Sequence, residues 1–184
     1  MTGWPIVHWS QARQITQVMG VKGPLAPSAG VTPDQHFRDL LAHDRQSDAV
    51  RFLAHALPRY EMIAWTTQVV TAIRPDSERE PEALRALEVA RRWVRDPSDD
   101  IRRQAWTMAE AMDDNTPEKL LLVAIFLSGG SMAPEDLPPV HPPEESAASL
   151  GGAAIALACY NTPSPVSALA GALEMGESVA KRAG

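Results

Sequence analysis

Phe126-Leu127-Ser128-Gly129-Gly130-Ser131-Met132-Ala133-Pro134-Glu135-Asp136-Leu137-Pro138-Pro139-Val140-His141-Pro142-Pro143 is an apolar run halted by a glycine pair and followed by a connector with five prolines. Glycine past the last periodic residue supplies a left-handed cap that ends a helix. Each proline fixes its own φ and biases the residue before it away from helix, so the connector is extended and stiff. The stretch reads as a strap, residues 128–143, laid across a surface between two helices. On one side lies a polar, tryptophan-bearing part; on the other, a part made of small residues.

Proline also punctuates the rest of the chain. Thr32-Pro33-Asp34, Asp96-Pro97-Ser98-Asp99 and Thr116-Pro117-Glu118 share a grammar: a side-chain oxygen at the cap, proline at the first helical position, an acid in the first turn. Glu80-Pro81-Glu82 and Thr162-Pro163 are weaker versions. The spacing predicts helices over about residues 10–19, from 33, from about 46, 58–73, 81–95, to 112, 117–127, 144–160 and 165–181. On the fifth, the predicted buried face is Leu84, Leu87, Ala90 and Val94, with Trp93 at its edge. The seventh is apolar almost all round after Leu120, which suits a central element. No stretch reads as a strand. The predicted fold is all-α: a compact multi-helix bundle of about eight or nine short helices, with the proline strap between the seventh and eighth. Residues 1–31 hold a helix and a Pro/Gly loop, and residues 32–184 form the bundle of this single domain. The segment from Asp96 to Ala105 is similar to the second helix of a HEAT-type repeat, but no regular period supports a solenoid.

Composition narrows the function classes. The chain has 184 residues, 22% charged and 45% apolar, which is ordinary for a globular protein. A formal charge of -6 argues against a general nucleic-acid binder. The lone cysteine, Cys159, allows neither an intramolecular disulfide nor a thiolate cage. The first residues lack a signal-peptide pattern, and no apolar run reaches the ~18 residues of a spanning helix. The expectation is a cytoplasmic protein without membrane insertion.

Chemistry-bearing clusters are few. His36, Asp39 and His43 share one stripe, but the histidines stand about 10.5 Å apart along a helix of ~1.5 Å rise, so solvated side chains are expected and no metal. Ser128, Ser131 and His141 lack the nucleophile elbow of a hydrolase. The pairs Gly129-Gly130 and Gly151-Gly152 lack the lysine of a phosphate loop; the second reads as a close-packing surface on an alanine-rich helix. The densest charge lies at residues 91–103, where Arg91, Arg92, Arg95, Arg102 and Arg103 alternate with Asp96, Asp99 and Asp100. With Trp93 and Trp106 on the same two helices, this corner has the composition of a docking patch for another protein. Its plain alternative is a solvated, self-paired corner. Trp4, Ile6 and Trp9 make the N-terminal arm hydrophobic, suited to folding back on the bundle.

Three segments resemble a family of small uncharacterised helical proteins found mainly in proteobacteria. They are Phe52-Leu53-Ala54-His55-Ala56-Leu57-Pro58 leading to Trp65; Ala90 to Ala105 with Trp93 and Asp96-Pro97; and Phe126 to Pro134 with Leu137-Pro138-Pro139-Val140. The resemblance covers about residues 48–158, and Ala64-Trp65 stands where the family pattern has two tryptophans. It implies an accessory role beside type VI secretion machinery and brings no catalytic residue. The leading expectation is therefore a non-enzymatic protein-binding adaptor without cofactor. The alternative is an enzyme or small-ligand binder with a pocket beside the strap, built from Ser131, Glu135 and His141; an effector-immunity role is a third reading.

Overall fold

In the computed structural model, which describes residues 3–23, 26–112, 116–134 and 136–182, the helix starts follow the proline grammar with two slips. The helices are α1 (Ala12–Val18), α2 (Pro33–Ala42), α3 (Gln46–Ala56), α4 (Arg59–Ile73), α5 (Pro81–Arg95), α6 (Asp99–Glu110), α7 (Pro117–Leu127), α8 (Ser146–Tyr160) and α9 (Pro165–Ala180). A 3-10 turn, Asp76–Glu78, joins α4 to α5. No strand occurs among the described residues. Thr116 Oγ1 accepts from Lys119 N at 3.2 Å, with Pro117 in the first turn. At α2 the bond runs the other way in a capping box: the Gln35 side chain reaches back and accepts from Thr32 N at 3.0 Å. Such a cap stabilises by about 1 kcal/mol. The slips are at α6, where Ser98 and not Asp96 is the cap and Pro97 stays outside the helix, and at α9, where Ser164 is the cap and Pro163 stays outside.

α7 and α8 form the most extensive helix pair. α7 also packs on α4, α5 and α6, while α8 packs on α3, α4 and α9. The centre is thus shared, where the apolar run of α7 alone pointed to that helix. Small residues let α8 and α9 approach closely. A Cβ on Gly151 would collide with Met62, and one on Gly176 would sit 2.5 Å from the Trp65 ring and 2.6 Å from Leu53. Trp65 is wholly buried and donates Nε1–H to the Ala172 carbonyl at 2.8 Å, tying α4 to α9.

The N-terminal arm belongs to the same core. Trp4 is buried edge-on against Phe37 at 5.1 Å, and Val7, Ala12 and Ile15 are buried with it. The buried arc of α5 is broader than a single stripe: Ala86, Leu87, Val89, Ala90 and Trp93 are inside, while Leu84 and Val94 are only half-buried. α5 packs on α4, α6 and α7 together, which is why one stripe does not suffice. No helix of the described residues is long and apolar enough to cross a membrane.

Candidate functional site

The corner between α5 and α6 divides into residues that hold the fold and residues that face outward. Arg102 is 4% exposed, at the start of α6. Its Nε donates to Asp99 Oδ1 at 2.7 Å, Nη1 to the Phe126 carbonyl at 2.8 Å and Nη2 to the Ser131 carbonyl at 2.9 Å. Its guanidinium carbon also stands 4.9 Å from the Phe126 ring centroid. One planar fork thus satisfies the end of α7 and the start of the strap, which a lysine could not do. Arg103 donates to Asp99 Oδ2 at 2.8 Å and to the Ala133 carbonyl at 3.2 Å. The Arg102 hydrogen bond, the largest influence, and a weaker one from Arg103 hold the Asp99 carboxyl below its ordinary range, although burial opposes them.

The strap is pinned from within as well. Gly130 adopts φ 66°, and a Cβ there would lie 2.9 Å from Arg102 Nη2. Ser131 Oγ accepts from both Ala133 N and Val140 N at 3.0 Å, and Met132 N donates to the Val140 carbonyl at 2.7 Å. His141 Nδ1 lies 3.2 Å from the Gly130 carbonyl. Leu137 and Val140 nevertheless remain 55% and 52% exposed. The strap therefore presents two large apolar side chains on a backbone that is closed on itself.

Of the arginine corner anticipated from the sequence, Trp93 corrects the expectation of an edge residue. It is 6% exposed and packs against Tyr60 at 6.0 Å. Trp106 is half-buried and stacks on Phe126 at 4.8 Å. Arg91 donates to both carboxylate oxygens of Asp76, at 3.1 and 3.3 Å. Arg92 reaches Gln104, and Arg95 reaches Glu88, each at 3.2 Å; both side chains are exposed. Arg92 and Arg95 are thus the outward-facing cations of the corner.

Of the alternative pocket beside the strap, two residues are described. Ser131 and His141 are both bonded to the strap backbone, and Glu135 lies outside the described residues. A cavity of about 220 Å³ does open where α8 begins, but its lining includes His8, Trp9, His55, Glu144 and Glu145, not Ser131 or His141. The expected solvated histidine stripe is also corrected: His36 is 9% exposed, edge-on to Phe52 at 4.9 Å. His43 pairs with Asp39 at 3.4 Å on the surface, as expected. Among the described residues no three potential ligands gather around a metal position. Burial pushes the Cys159 thiol up to about 11, so it stays protonated near neutrality.

The sequence reading missed a buried ion pair. Arg79, just before α5, is paired with Glu118 of α7 inside the protein. It also donates to the Arg74 carbonyl at 2.8 Å, capping the end of α4. Arg74-Pro75 ends α4 and leaves carbonyls that a nearby arginine can satisfy, which was the available signal. The partner 39 residues away left none.

The described residues form an all-α bundle with a proline strap held by Arg102, Arg103 and Ser131. The chain belongs to a family of unknown function, DUF6931, whose model matches residues 36–180. That span is wider than the segments which carried the resemblance in the sequence. No curated protein and no solved structure matches the chain.

Proposed function

We propose that this is a non-enzymatic accessory protein that binds another protein, with the strap and the neighbouring α5–α6 corner as its docking edge. The carrying observation is the contrast within the strap: a backbone fixed by Arg102, Arg103 and Ser131 displays exposed Leu137 and Val140. A preorganised loop loses little conformational entropy when a partner covers it, so its apolar contacts convert more fully into affinity. Arg92 and Arg95 beside it suit a partner surface that carries carboxylates. The resemblance noted in the sequence supports an accessory role beside a proteobacterial type VI secretion system, and the composition supports a cytoplasmic location for it.

The test is affinity capture from the native bacterium followed by a binding titration with the purified partner. Leu137→Asp with Val140→Asp should weaken binding by about a hundredfold or more, as loss of central apolar contacts does. Arg92→Glu with Arg95→Glu should slow association and reduce its salt dependence. Unchanged affinity in the strap variant, with an unchanged circular-dichroism spectrum, rejects this docking edge.

A further inference from the structure

We propose that the cavity at the start of α8 binds a small organic ammonium ion, a cationic amine on a short aliphatic stem. The proposal is independent of the strap. The cavity, about 220 Å³, lies between the N-terminal arm, α3, α4 and the first turn of α8. That is below the ~300–1,000 Å³ of clefts for drug-sized ligands, so its occupant is small. Leu57, Met62 and the half-buried Trp9 give it apolar walls, which suit a stem; an indole face also attracts a cation.

The polar groups lining it favour a donor. His55 is 8% exposed, and its Nδ1 lies 2.7 Å from the Arg51 carbonyl. A carbonyl only accepts, so the proton sits on Nδ1, and Nε2 is left as an acceptor. Ser149 Oγ, 3.3 Å from that nitrogen, is the donor in their contact. Glu144 and Glu145 stand exposed in the lining and form no ion pair among the described residues. Arg59 also lines the cavity, yet its guanidinium donates to the Ser128 carbonyl at 3.4 Å. An anionic ligand would meet two carboxylates against the single guanidinium of Arg59. An ammonium group complements the two carboxylates, and the apolar walls accept its stem.

The experiment is isothermal titration of the full chain at pH 7.5 with n-butylammonium, butyrate and 1-butanol in parallel. The expected result is saturable one-to-one binding of n-butylammonium, at least about tenfold tighter than either isostere. Glu144→Gln with Glu145→Gln should weaken it by about tenfold or more, at unchanged melting temperature, while Glu174→Gln with Glu177→Gln on α9 leaves it unaltered. Equal binding of the three compounds, absence of saturation by n-butylammonium, or equal losses in the two double variants would overturn the proposal.

Discussion

Arg102 and Arg103 are adjacent arginines with different work. Arg102 lies inside and joins three chain segments, whereas the Arg103 side chain keeps 28% of its exposure and meets Asp99 at the surface. Replacing Arg102 with Met leaves the Phe126 and Ser131 carbonyls without their charged donor; lost hydrogen bonds of this kind cost about 1.5–3 kcal/mol each before relaxation. Water can reach the opened strap, so a net loss of about 2–4 kcal/mol is expected. Arg103→Met should cost less than about 1 kcal/mol, the usual scale for exposed pairs. Urea unfolding of the two variants checks the difference; equal losses would mean that the strap does not depend on the buried fork. From sequence alone the two residues were indistinguishable. Arg102 takes its role from carbonyls 24 and 29 residues away, and side-chain periodicity carries no information about those.

Helix boundaries were legible because caps and prolines act within four residues of themselves. Pro81 to Arg95 for α5 and Pro117 to Leu127 for α7 follow directly from that local chemistry. Which face a helix buries was less legible. Trp93 was placed at an edge because one apolar stripe was assumed, yet neighbours on three sides enclose it. The glycines of the last two helices show the same limit from the other side: their helix is readable, their neighbour is not. Gly171 and Gly176 both lie on α9, five positions apart, and only the second faces a ring. Gly176→Ala would press a methyl group into Trp65 and Leu53, so a cost of about 1–3 kcal/mol is expected from overpacking. At Gly171 a Cβ meets nothing within 4 Å, so Gly171→Ala should stabilise by about 0.4–1 kcal/mol through the unfolded chain. Thermal unfolding of the pair would show opposite shifts; shifts of the same sign would contradict the close α4–α9 approach.

Across the whole molecule, acidification should act in two separate steps, because the shifted groups lie in two pH ranges. His36 on α2 and His55 on α3 are both held below their ordinary value of 6.5, each chiefly by burial. Asp39 opposes the shift at His36, as do the Arg51 carbonyl and Glu145 at His55, while Arg45 and Arg51 reinforce it. The unfolded chain therefore takes up protons on these imidazoles before the folded chain does, and stability falls as pH drops below 6.5 toward the folded values. Above 6.5 both states are neutral there and the contribution is complete. Asp99 is held below 3.8, first by its Arg102 hydrogen bond. Asp34 is also lowered: burial, the largest single influence, raises it, but bonds from Thr32, Arg38 and the backbone together outweigh that. Their contribution is present above 3.8 and disappears only as pH falls through the folded values. A melting-temperature series at fixed ionic strength should thus decline from pH 6.5 downward, level, and decline again below 3.8. His55→Gln should shrink the first decline and leave the second intact, since glutamine keeps a polar group toward Ser149 without titrating. A flat profile between pH 7 and 5 in the wild-type chain would show that neither imidazole is buried as described, and with it the packing of α2 and α8 against α3.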